Sequence, residues 1–147
     1  MTGAETLQAA CVSLEGRGLL ILGRPGSGKS RLALGLLALG ATLVADDLLR
    51  LRRAGDALIA VALPGAPAVI EARGVGLLGA PAARAARIAL VADLDGPGSE
   101  RLPPRRSARL LGAPIPLVVL PEHAGAPALA AALRAGGPLD PEAPLEG

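Results

Sequence analysis

Residues 19–40 narrow the possible folds more than any other stretch of the chain. Leu19-Leu-Ile-Leu22 is a short apolar run of the kind that forms a buried strand, and it stops at Gly23. Leu32, Leu36, Leu37 and Leu39 then recur at helical spacing, and Gly40 stands where a left-handed helix cap belongs. The segment therefore reads as strand, glycine loop, helix. Upstream, residues 11–15 and 19–22 read as two strands joined by a turn at Gly16-Arg-Gly18, because glycine supplies the positive φ that tight hairpins require. Downstream, Thr42-Leu-Val-Ala45 is a buried-strand candidate that runs into two acids, Asp46 and Asp47.

Further apolar segments at 57–63, 68–71, 87–92 and 116–120, separated by Gly and Pro, would complete a sheet. Pro81 can open a short helix reaching Arg87, and residues 127–134 followed by Gly136-Gly137 have the proline start and glycine stop of another. These elements predict an α/β protein with a central sheet flanked by helices. A chain of 147 residues has room for one domain, expected over residues 1–137. Residues 138–147, with three prolines and no periodicity, are expected to form a flexible tail.

Phe, Tyr and Trp are absent, although 51% of residues are hydrophobic, so the core must be built from Ala, Leu, Val and Ile. The absence also bears on ligands. No ring is available to stack on a base, so a bound nucleotide has to be held by its phosphates. The net charge is only +2 and there is no run of five or six Lys or Arg residues, which disfavours nucleic-acid binding. The single cysteine, Cys11, cannot close an internal disulfide and reads as core filler. The N-terminus lacks the pattern of a signal peptide, and no apolar run approaches the ~18 residues of a membrane helix, so a soluble, cytoplasmic protein with no membrane partner is expected.

Gly23-Arg24-Pro25-Gly26-Ser27-Gly28-Lys29-Ser30 matches G-x-x-x-x-G-K-[ST], in the strand-to-helix setting that gives the pattern its meaning. Glycines let successive backbone N–H groups turn toward one anion, and the helix N-terminus adds its partial positive charge. Lys29 is expected to reach the β- and γ-phosphates of a nucleoside triphosphate, the Ser30 hydroxyl to ligate Mg²⁺, and Arg31, next in the chain, to join the loop residues in binding the nucleotide. If the strands before Gly23 and Asp46 are parallel, a right-handed crossover brings both ends to one sheet edge and sets Asp46 and Asp47 beside the loop. A carboxylate there can serve Mg²⁺ or accept a proton from an attacking hydroxyl. Ile88-Ala-Leu-Val-Ala-Asp93 is a competing strand that ends in an acid, and spacing does not choose between them. Glu71-Ala-Arg-Gly-Val-Gly76 offers a possible oxygen ligand beside two glycines, or equally a surface turn. Arg101, Arg105 and Arg106 are candidates for a guanidinium on a transferring phosphoryl group, whereas His123 has no visible partner in the sequence.

Three motifs in order, Gly23 to Ser30, Ala41-Thr-Leu-Val-Ala-Asp-Asp47 and Ile70-Glu-Ala-Arg-Gly-Val-Gly-Leu77, resemble those of the HPr kinase/phosphorylase catalytic domain, over most of the chain. That resemblance implies a P-loop nucleoside-triphosphate-hydrolase-like fold. It also implies transfer of phosphate from ATP, with Mg²⁺, to a serine of the phosphocarrier HPr, the reverse phosphorolysis, and assembly as a homo-oligomer, usually a hexamer. By resemblance, Asp46 matches the aspartate that takes the serine proton, with Asp47 its neighbour. Lys29 matches the phosphate lysine, Ser30 and Glu71 match Mg²⁺ positions with Asp47 close by, and Arg101, followed by Leu102, matches the catalytic arginine. Asp93 then takes a structural or secondary role. Gln8 stands where the family has a histidine, and an amide cannot titrate. The resemblance also leads to the expectation of a shortened form of the family without its usual N-terminal domain. Outside the resemblance, a small-molecule P-loop kinase and a non-enzymatic ATP-sensing module remain as alternatives.

Overall fold

The computed structural model describes residues 3–96, 100–120 and 125–143. Within them the order of elements is β1 (Ala4–Gln8), β2 (Ala10–Leu14), β3 (Arg17–Leu22), α1 (Lys29–Ala38), β4 (Thr42–Ala45), β5 (Leu48–Ala54), β6 (Ala57–Ala62), β7 (Val69–Ala72), β8 (Gly76–Gly79), β9 (Ala85–Asp93), β10 (Arg106–Leu110), β11 (Ala113–Val119) and α2 (Ala126–Arg134). Nine strands form one mixed sheet in the order β1-β5-β6-β9-β3-β2-β4, with β11 also on β9 and β10 on β11. The β3–β9 and β9–β11 pairs are parallel, and the remaining pairs in the sheet are antiparallel. The protein is therefore of the α/β class.

The β2–β3 hairpin turns at Glu15 and Gly16, both in the left-handed region with φ of 52° and 79°. Gly18 does different work from the turn role expected of it. It lies inside β3, where a Cβ would come within 2.7 Å of the Arg87 carbonyl oxygen, so its missing side chain lets β3 approach β9. α1 ends as the glycine at position 40 predicts: the Gly40 N–H donates to the Leu37 carbonyl and the Ala41 N–H to the Leu36 carbonyl, with Gly40 at φ 103°.

Two apolar clusters hold the sheet from its two sides. α1 contributes Leu32, Ala33 and Leu36, and α2 contributes Leu129, Ala130 and Leu133, to a cluster shared with Val12, Leu19, Ile21 and Leu43. The helices approach closely, since a Cβ on Gly35 would meet that of Ala126 at 2.7 Å. The other cluster joins Cys11, Leu20 and Val91 to Leu49, Leu51 and Leu58, so the sheet curls over itself and β5 and β6 cover the face opposite the helices. Aliphatic side chains interdigitating from two faces thus replace the bulk that aromatic rings supply elsewhere.

The expected helix over 81–87 is absent. Pro81 and Ala82 lie against β4, where the Leu43 N–H donates to the Pro81 carbonyl, and β9 begins at Ala85 with Ala86 and Ile88 buried in alternation. Pairing of β9 with β6 on one side and β3 on the other overrides the helical propensity of an alanine-rich segment. The segment expected at 68–71 forms a strand, β7, one residue later at Val69–Ala72, but it pairs with β8 in a separate two-stranded hairpin. Strands β1, β5, β8 and β10 had no counterpart in the expectations. Residues 138–143 carry no helix or strand, while 144–147 and His123 lie outside the described residues. Among the described residues, no helix is long and apolar enough to cross a membrane.

Candidate functional site

β3 and β4 are both antiparallel to β2, hence parallel to each other, and α1 makes the crossover between them. Their C-terminal ends share one edge of the sheet although β2 separates them. The loop 23–28 bends through Gly26 at φ 85° and Gly28 at φ 103°, conformations that any side chain would strain. At Gly23 the need is space: a Cβ there would collide with the Ser27 hydroxyl. That hydroxyl oxygen is buried and has no hydrogen-bond partner among the described residues. The Lys29 ammonium folds back on the loop, donating to the Gly23 and Arg24 carbonyls. Its charge is thereby held at the centre of the bend.

Across from the loop, the Ser30 hydroxyl donates to Asp46 Oδ1 at 2.8 Å. Asp47 points elsewhere: its Oδ1 accepts from Gln8 Nε2 at 3.4 Å, and its backbone carbonyl accepts from the Ala9 N–H at 2.8 Å. On the other flank β9 runs beside β3, with Asp93 opposite Leu22. Asp93 Oδ1 accepts the Asp95 N–H at 2.9 Å, and Asp95 Oδ2 accepts the Arg24 N–H at 2.6 Å while its Oδ1 lies 3.3 Å from Arg24 Nε. This second pair of acids fastens the start of the loop to the end of β9.

The structure therefore brings together Gly23, Arg24, Pro25, Gly26, Ser27, Gly28, Lys29, Ser30 and Asp46, with Asp47 and Gln8 alongside. Arg31 is exposed on the first turn of α1, and Glu71 is exposed on β7, whose neighbour Ile70 packs in the same cluster as α1. Neither makes a hydrogen bond or ion pair among the described residues. Arg101 is exposed in the connection between β9 and β10 and makes no hydrogen bond or ion pair with the loop among the described residues; Arg106 is paired with Glu100 at 2.7 Å. Glu71-Ala-Arg-Gly-Val-Gly76 is the hairpin between β7 and β8, with Gly74 and Gly76 at positive φ, so the turn geometry weighed for it is present. One participant, Asp95, escaped sequence reasoning, and it becomes visible only once β9 is known to pair with β3. Ser27 is legible as a loop residue, and only the burial of its hydroxyl needs the loop's path.

Burial pushes the Cys11 thiol up from 9.0 to about 12, which fits its place as apolar filler in β2. The site suits a hard cation. Ser30 and Asp46 supply oxygen donors at the mouth of a loop whose glycines leave open space, and no group of three or more His, Cys, Asp or Glu converges among the described residues. Any cation bound here would have to take most of its ligands from phosphate and water, a demand that suits Mg²⁺.

Strand, left-handed glycine loop and helix, with an acid across from the loop serine, define a phosphate-binding-loop protein of the α/β class. The family is narrower than that class. The chain belongs to the family described as the HPr Serine kinase C-terminal domain, whose model matches residues 1–94. It is 30% identical over 132 residues to the HPr kinase/phosphorylase of an Exiguobacterium species, covering 81% of this chain and 42% of that protein. The same-named protein of Aromatoleum aromaticum is 34% identical over 134 residues, covering 82% and 43%. The chain thus spans less than half the length of these curated relatives. The Hpr(Ser) kinase/phosphatase structure from Coxiella burnetii aligns with a TM-score of 0.75 at 25% identity, covering 89% of this chain and 95% of that one.

Proposed function

We propose that the protein is a cytoplasmic, ATP-dependent serine kinase acting on HPr or an HPr-like phosphocarrier in regulation of the phosphotransferase system, with phosphorolysis as the reverse step. The observation that carries the reading is the Ser30 hydroxyl on Asp46 at 2.8 Å, which joins the phosphate loop to a candidate base. In this reading the backbone N–H groups of residues 26–30 hold the ATP phosphates, and Lys29 turns from its own loop's carbonyls to the transferring group. Ser30, Asp47 and Glu71 are the residues assigned to hold Mg²⁺, which when bound draws off charge that builds on the phosphates. Released from Ser30, Asp46 accepts the proton of the acceptor serine as its oxygen forms the new bond to phosphorus and ADP leaves with the old one. Arg101 neutralises charge on the group in flight. Residues 1–137 act as the kinase domain, and the assembly is a homo-oligomer.

A second reading rests on Gln8. Its amide holds Asp47 with a donor that cannot titrate, which favours a module that binds ATP without turnover. Incubation with γ-labelled ATP, Mg²⁺ and HPr separates the two. Label on an HPr serine is the expected outcome, whereas tight Mg-ATP binding with no label at saturating HPr contradicts the kinase reading. A Gln8→His protein run in parallel reveals what the amide costs: its transfer rate is expected to rise.

A further inference from the structure

β5 has two unlike faces. Leu49 and Leu51 point into the second core cluster, so Leu48, Arg50 and Arg52 point outward. Pairing carries that outer face across the neighbouring strands. Arg52 stands opposite Ile59 and Ile59 opposite Arg87, while Arg50 stands opposite Val61 and Val61 opposite Ala85. On the other side Gln8, Thr6 and Ala4 of β1 stand opposite Leu48, Arg50 and Arg52. The surface carries three arginines around the aliphatic side chains of Leu48, Ile59 and Val61, and none of these face positions is a carboxylate. Neither helix covers it, because both pack on the cluster shared with β2 and β3.

The three arginines are exposed and enter none of the ion pairs among the described residues. Other arginines of the fold are committed: Arg17 donates to the Leu133 and Arg134 carbonyls, Arg53 to Leu111, and Arg84 to Leu63 and Ala66. Strand geometry sets Arg50 and Arg52 about 7 Å apart, and Arg52 and Arg87 about 10 Å apart across β6. Three like charges ringing an aliphatic centre complement carboxylates ringing an apolar patch.

We propose that this face docks the acidic surface of a partner protein. A nucleic acid is the poorer fit, since three cations are few for a phosphate backbone and no ring is present to stack a base. A second copy meeting it face to face would set arginine against arginine. Gln8 and Leu48 join the face to Asp47, so the partner sits beside the acid pair at the loop edge. The inference goes beyond the kinase reading and stands without it.

Binding of a labelled Glu-rich peptide, followed by fluorescence anisotropy at low and at physiological ionic strength, tests the proposal. Wild-type protein is expected to bind the peptide and not its Gln analogue. Arg50→Glu/Arg52→Glu is expected to weaken binding at least about tenfold, and Arg105→Glu/Arg106→Glu, off this face, to leave it unchanged. All the substituted residues reach solvent, and circular dichroism checks that both variants keep the fold. No binding at low ionic strength, equal loss in both variants, or tighter binding of a single-stranded oligonucleotide or anionic vesicle through Arg50 and Arg52 would each overturn it.

Discussion

Two pairs of acids border the phosphate loop, one after β4 and one at the end of β9, and their surroundings differ. Asp46 meets the Ser30 side chain and Asp47 meets Gln8, both groups that can exchange partners. Asp93 and Asp95 are spent on backbone N–H groups, one within their own turn and one at Arg24. Adjacency in the sheet would have favoured the second pair, because β9 is the direct neighbour of β3 and β4 is not. The helix decides otherwise. α1 crosses from β3 to β4, so its first turn offers Ser30 to the β4 side, and the acids of β9 are left facing the outside of the loop, where they hold its shape.

This contrast can be broken at each pair. Asp46→Asn keeps the shape but removes the proposed base, so on the kinase reading transfer to HPr should fall about 10²- to 10⁴-fold in a steady-state assay while Mg-ATP affinity stays nearly intact. A comparable fall from Asp93→Asn, with Asp46→Asn active, would reverse the assignment. Asp95→Asn weakens the acceptor at Arg24 and should raise the Kd for Mg-ATP by roughly fivefold in calorimetry, consistent with about 1 kcal/mol for one hydrogen bond, with kcat little changed. The smallest effect is on Cys11 in β2, the strand between β3 and β4. With its thiol pushed up to about 12, it should react with a thiol reagent near pH 8 only as fast as β5 and β6 open from the sheet face they cover. The sign of the linked stability follows: the thiol of the unfolded chain ionises first, so this contribution is lost as pH rises from 9.0 toward about 12.

The strand, loop and helix over residues 19–40 were legible because glycine spacing, an apolar run and a helical period all agreed there. β4 and its acids were legible for the same reason, and so was α2. The alanine-rich approach to β9 was not, since Ala82, Ala83, Ala85 and Ala86 favour a helix locally and only pairing makes them extended, the first two against Leu43 of β4 and the last two against β6. β5 escaped notice because Arg50, Arg52 and Arg53 mask an alternation in which Leu49 and Leu51 are the buried half. At the site, the identity of the loop residues was readable, but the division of labour between Asp46 and Asp95 was not. It depends on which strand the crossover helix reaches, a property of topology rather than of spacing.

The most direct measurement is calorimetric titration of ATP, with and without Mg²⁺, into wild-type protein and Ser30→Ala. Saturable heat with wild type, at least about tenfold tighter with Mg²⁺, and loss of that Mg²⁺ dependence in Ser30→Ala is the result the account predicts. No heat with wild type, or the same affinity with and without Mg²⁺, would contradict it.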